Sequence, residues 1–178
     1  MKRFFASIIA GSFLLSGLAG EGKKTDAWKQ IAAWQEPMPE AKVLSGTELE
    51  IGGVRCALFG VRVPESSAAS AKDFLKTYMK TFGGGYTIYN SAWPVSRSDG
   101  VPLIWLIGES NSGWAQEALV RVGLAEVDFK GFENYKFQLP GKARNYDFDW
   151  KKCLRDAKAD HDAGKKPFLG FDWPPKSR

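Results

Sequence analysis

Between residues 43 and 65 the apolar positions fall into two runs separated by a glycine pair. Leu49 and Ile51 are interleaved with Glu48 and Glu50, the period of two that a strand shows when one face is buried. Gly52-Gly53 follows, a pair that takes the positive φ angles of a tight hairpin turn without steric cost. Residues 54–61 then read as a mostly apolar return strand. Pro64 has no N–H for a ladder and ends the pairing. Glu65 is thereby left at a strand end, where side chains often face a cleft.

Beyond Pro64 the period changes to that of a helix. Ala68, Ala71, Leu75, Tyr78, Met79 and Phe82 recur three and four residues apart, with Ser66 as the expected N-cap and Gly83-Gly84-Gly85 as the stop. That glycine triplet reads as a hinge or C-cap. No strand precedes it and no helix opens after it, so it is not a phosphate-binding loop. Residues 86–90 alternate as a strand, residues 91–100 form a turn-rich loop, and residues 103–107 read as a buried strand. Residues 114–121 are expected to be a compact helix ended by Gly123. Residues 127–146 are polar, basic and aromatic, turning at Pro140-Gly141. The last helix is expected over residues 149–163, closed by Gly164 and Pro167, with Phe171 and Trp173 packing back on the core.

The amino terminus follows a different pattern. Lys2-Arg3, an apolar run over residues 4–15 and the small-x-small sequence Gly17-Leu18-Ala19 read as a cleaved secretory signal over residues 1–19. The run is shorter than the roughly 20 residues a spanning helix needs. Export to the periplasm or outside the cell is therefore expected, with no transmembrane segment once the signal is gone. Residues 20–42 read as an extension. Trp28, Ile31, Ala32 and Trp34 lie on one face of a short helix stopped by Pro37 and Pro39, taken as a lid on the domain in preference to a partner-facing segment. Residues 174–178 are a short tail.

A chain of 178 residues, 44 % apolar and 25 % charged, has the composition of one globular domain. The net charge of +5 includes Lys2 and Arg3 of the signal, so the balance alone does not indicate nucleic acid. Cys56 and Cys153 are the two cysteines. Their spacing fits neither a metal site nor a Cys-x-x-Cys redox motif. In an exported protein a Cys56–Cys153 disulfide is the expected reading, two buried thiols the alternative.

The stretch from Val43 to Glu65 resembles the first block of the staphylococcal-nuclease-like (thermonuclease) domain family, D-G-D-T, a hairpin, then R-L-x-G-I-D-x-P-E. Gly46, Gly52-Gly53, Leu58, Gly60, Pro64 and Glu65 carry the frame. Residues 116–125, Q-E-A-L-V-R-V-G-L-A, resemble the family's N-x-x-L-V-x-x-G-L-A block, a structural element in which Leu119 and Val120 fill space under the barrel. The resemblance covers residues 43–173. It implies an α+β fold: a five-stranded Greek-key barrel of OB type with three helices.

The family's chemistry is mostly replaced. Ser45 and Thr47 stand where its two aspartates would be, Ala57 at its first arginine, Arg62 at its second metal-binding aspartate and Val101 at its second arginine. Only Glu65 matches a catalytic position. Thr47 offers a neutral hydroxyl, and Arg62 puts a cation where the resemblance would place calcium. Two like unit charges about 4 Å apart repel by roughly 4 kcal/mol at an effective dielectric near 20. Glu65 is then expected to bridge to Arg62 or to cap the following helix. Arg55, Arg97, Glu48 and Glu50 are the neighbours from which a site could be rebuilt, against the intolerance of catalysis to shifts near 1 Å.

Two further groups are weaker candidates. Lys130, Lys136, Lys142, Arg144, Lys151 and Lys152, interleaved with Phe132, Tyr135, Phe137 and Tyr146, have the composition of a stacking platform for single strands. Glu133, Asp147 and Asp149 in the same run favour an ordinary solvated loop. His161, the one histidine, has no Ser or Cys in a triad context and is assigned no role. The expected function is that of an exported, catalytically inactive thermonuclease-like domain with a binding or structural role, without cofactor, and monomeric. The alternatives are an active phosphodiesterase with a rearranged site, which alone would need Ca²⁺, and an envelope- or exopolysaccharide-associated accessory protein. Nucleic acid, an oligosaccharide or an envelope protein are the corresponding partners.

Overall fold

The computed structural model describes residues 27, 30, 31, 39–82, 87–89, 95–107, 113–130, 137, 138 and 147–174. The expected signal at residues 1–19 and its cleavage site lie outside them. Among the described residues no helix is long and apolar enough to cross a membrane.

The hairpin forms as its pattern dictates. β1 (Ala41–Val43), β2 (Glu48–Ile51) and β3 (Val54–Leu58) make an antiparallel meander. Ile51 pairs with Val54 across a two-residue turn in which Gly52 and Gly53 have φ 55° and 79°, the type I′ geometry that matches strand twist. Leu49 and Ile51 are wholly buried while Glu48 and Glu50 face outward. β1 begins at Ala41, inside the stretch read as an extension. Further upstream, Ile31 is 4 % exposed and belongs to the same core.

The return strand is broken, contrary to the single run expected over residues 54–61. β3 stops at Leu58, Gly60 turns at φ 75°, and the chain resumes as β4 (Val61–Arg62). β4 leaves the main sheet to pair with β7 (Glu126–Val127). The cause is tertiary: Trp150 and Leu154 of the last helix pack directly on Gly60.

After Pro64 the chain enters a 3-10 turn, Glu65–Ser67, and then α1 (Ala68–Thr81). Ser66 is not an N-cap. The N–H groups of Ser67 and Ala68 donate to the carbonyls of Pro64 and Glu65, so no side-chain cap forms. Nor does Glu65 sit at a strand end. β5 (Thr87–Tyr89) and β6 (Leu103–Ile107) complete a five-stranded sheet of order β1-β2-β3-β6-β5, in which β3 and β6 run parallel and the other pairs antiparallel. α2 (Ala115–Arg121), the two-stranded ribbon β8 (Phe137–Gln138) with β9 (Asp147–Phe148), and α3 (Trp150–Asp162) follow. Asp149 caps α3 by accepting the Lys152 N–H at 2.9 Å. The fold is α+β, and besides α1, α2 and α3 the described residues Ala27, Gln30 and Ile31 are helical. Phe171 and Trp173 return to the core against Phe74, at ring distances of 5.4 and 5.0 Å.

The disulfide expectation is corrected: Cys56 and Cys153 are both free. Cys56 is fully buried on β3 and its thiol donates to the Val54 carbonyl at 3.6 Å. Cys153 lies half-buried on α3, near Glu117 of α2. Burial pushes both up to about 12, with the Glu117 charge adding to the effect at Cys153, so neither is a thiolate at neutral pH. Two thiols per chain are expected to titrate in denaturant without reductant. A count of zero would restore the bridge.

Candidate functional site

The outward face of the β2–β3 hairpin carries the cluster with the most directed chemistry. Because Glu48 pairs with Ala57 and Glu50 with Arg55, Glu48 and Arg55 are diagonal neighbours on one face of the sheet. Arg55 donates from Nε at 3.1 Å and from Nη2 at 2.7 Å to Glu48 Oε2. The loop before β6 supplies the other half. The N–H of Arg97 donates to the Val101 carbonyl and that of Gly100 to the Arg97 carbonyl, both at 2.9 Å, closing a tight turn. The Ala57 N–H donates to the Pro102 carbonyl at 2.8 Å and docks this turn beside β3. Arg97 then gives Nη1 to Glu48 Oε1 at 2.5 Å, and Nε and Nη2 to the two oxygens of Asp99 at 3.1 and 2.5 Å.

The result is an alternating ladder, Asp99–Arg97–Glu48–Arg55. Burial opposes the charge on Glu48, but the hydrogen bonds from Arg55 and Arg97 and their positive charges outweigh it and hold the carboxyl below its usual range. The hydrogen bonds from Arg97 pull Asp99 down to about 2. Both depressed carboxyls therefore contribute stability above their unfolded pKa values and lose it as pH falls through the folded ones. Across the same face Lys42 is the partner of Glu50, which is the partner of Arg55. Three cations and three anions alternate here, so the face has no net charge.

Next to the ladder lies a cleft of about 280 Å³. Arg55, Asp99 and Gln30 give it polar edges, and Val54, Val101 and Pro102 an apolar wall.

The residues singled out by the family resemblance do not converge in the same way. Ala57 is 3 % exposed inside β3. Thr47 is half-buried, its N–H donating to Ser45 Oγ at 3.2 Å. Arg62 is exposed and pairs with Glu126 across the β4–β7 ribbon, not with Glu65. Glu65 itself is exposed, caps nothing and makes no side-chain hydrogen bond or ion pair among the described residues. Val101 alone of the five lines the cleft. Arg55, Arg97 and Glu48 do come together. Asp99, read only as part of a loop, completes them through a turn that residue order alone does not reveal.

Of the basic aromatic run, residues 132–136 and 139–146 lie outside the described residues, and Lys152 is paired with Asp156. His161 packs against Gly123, its Nδ1 3.2 Å from the Arg121 carbonyl, at a joint where Arg121 also binds Glu117 and Asp160. That joint ties α2 to α3.

Gln116, at the start of the structural block of residues 116–125, is the buried polar residue among those described. Gln116 is fully buried; its Nε2 donates to the Ile104 carbonyl at 2.9 Å and its Oε1 accepts the Leu106 N–H at 3.3 Å. It stands in for a strand where β3 departs from β6.

Comparison with models of known protein families and with curated protein sequences finds no match to this chain.

Proposed function

We propose that the chain is an exported staphylococcal-nuclease-like domain of OB type that has lost hydrolytic chemistry and acts by binding, in the periplasm or outside the cell. Supporting the OB reading is the strand order. Counting only the strands of the main sheet, it runs 1-2-3-5-4 with a single parallel pair between the third and fifth, the order of a partly open five-stranded Greek-key barrel.

The observation that carries the loss of catalysis is the engagement of the arginines. Arg55 and Arg97 are the cations nearest in sequence to the family's phosphate-binding positions, and both are held by the Glu48 carboxylate. A diester approaching this face meets paired charges in place of two open guanidinium forks. The residues at the family-like calcium position do not fit the ion either. Thr47 brings a neutral hydroxyl and Arg62 a cation already paired with Glu126.

A charge-neutral face gives a polyanion little counterion-release advantage, which favours an oligosaccharide or envelope partner over nucleic acid. Calorimetry with Ca²⁺ and a cleavage assay on single-stranded DNA are expected to give no micromolar binding and no cleavage. Cleavage that disappears in Glu65→Gln would overturn the reading. Titrations with oligosaccharide and with oligonucleotide across a salt series then separate the partners, because phosphate contacts weaken steeply with salt.

A further inference from the structure

We infer that the cleft between the β2–β3 turn and the loop around Gly100 binds a small organic anion, a carboxylate or phosphate monoester on a short apolar body, through Arg55. This deepens the binding reading above and rests on it. The ladder Asp99–Arg97–Glu48–Arg55 places one cation, Arg55, in the lining of the cleft.

Arg55 is 54 % exposed while its partner Glu48 is 12 % exposed. The guanidinium is thus held from below through Nε and Nη2, and its Nη1 makes no hydrogen bond among the described residues. A guanidinium presents five N–H donors in a fixed fork, so an oxyanion can be met by an edge that is already oriented. Less conformational entropy is lost on binding when the fork is held in place beforehand.

Asp99 lines the same cleft but repels an incoming anion weakly. Both of its oxygens accept from Arg97, and Oδ1 also accepts the Val101 N–H at 3.3 Å. Glu50, the cross-strand partner of Arg55, is not among the lining residues. Val54, Val101 and Pro102 also line the cleft and give the body of the ligand an apolar surface to cover. A volume of about 280 Å³ suits a ligand of one ring. One oriented fork serves one anionic head, whereas a polyanion would need several free cations.

The test is an amide-resolved NMR titration of the full chain with benzoate, phenyl phosphate and neutral benzamide. Saturable shifts are expected at Gly53, Val54, Gly100 and Val101 with the two anions, in the millimolar range, and none with benzamide. The ratio of the two anion affinities separates a carboxylate from a phosphate head. Arg55→Gln is expected to weaken benzoate at least about tenfold. Should that variant fail to fold, Gln30→Glu adds a negative charge at an exposed position on the cleft edge and is expected to weaken benzoate without touching the ladder. The inference falls if no amide shifts saturably, if benzamide shifts the same amides equally, or if folded Arg55→Gln or Gln30→Glu binds benzoate as wild type does. Calcium-dependent cleavage would sink the parent reading and leave this titration readable. A flat titration would sink the inference and leave the inactive-domain reading intact.

Discussion

Gln116→Leu is expected to destabilise the protein by about 1–3 kcal/mol with little loss of side-chain volume, because a buried backbone group left without its partner costs about 1–3 kcal/mol. Gln116 serves two such groups, the Leu106 N–H and the Ile104 carbonyl. The carbonyl keeps a second partner, the Phe59 N–H at 2.9 Å, so most of the loss falls on Leu106. Leucine removes both bonds without opening a cavity, which isolates the hydrogen-bond contribution from packing.

Gln116→Glu sharpens the test. Its carboxylate can still accept from Leu106 but can donate to Ile104 only when protonated. Burial without a positive partner raises the carboxyl's folded pKa, so the variant's penalty grows as pH climbs above the unfolded value. Urea unfolding midpoints at several pH values give both answers. A cost below about 1 kcal/mol for leucine would mean that the amide is dispensable, against the usual cost of an orphaned buried donor.

Gly60→Ala carries the other large effect, about 2–5 kcal/mol. The left-handed conformation at φ 75° costs a residue with a Cβ about 1–2 kcal/mol. Overpacking adds about 1–3 kcal/mol, since the new Cβ would stand 2.9 Å from Trp150 Cζ3 and 3.1 Å from Leu154 Cδ1. The indole cannot easily retreat. Its ring is held by Phe59 at 4.7 Å and Phe129 at 5.1 Å. Gly53→Ala is the control, because its φ of 79° is similar but nothing lies within 4 Å of the added atom. It should show the backbone cost alone. If thermal or urea melts give the two variants equal losses, contact with Trp150 is not what requires glycine at 60.

Elements whose signals lie within a few residues of one another were legible along the chain. The alternation of Leu49 and Ile51 with Glu48 and Glu50, together with Gly52-Gly53, suffices for the hairpin and its turn type. The three- and four-residue spacing of Ala71, Leu75 and Tyr78 suffices for α1, and Asp149 ahead of Trp150 for the start of α3. The residue types at Thr47, Ala57, Arg62 and Val101 are also plain in the chain, since a residue type states which chemistry it can perform wherever it lies.

The remaining features depend on groups far apart in the chain. Glu48 and Arg97 are 49 residues apart, and Arg62 and Glu126 are 64 apart. Ion pairs of that reach follow from strand register and loop docking, neither of which composition reveals. The carboxylates Glu65 and Glu48 ended in different surroundings for that reason. Glu65 lies exposed on a 3-10 turn, while Glu48 became the anchor of two arginines. Long-range packing likewise decided the break at Gly60, where Trp150 arrives from α3, and the state of the cysteines, both of which are free. Periodicity specified the local elements because backbone geometry repeats over a few residues. The site was decided by tertiary structure because its charges meet only after the sheet has brought β2, β3 and the loop before β6 together.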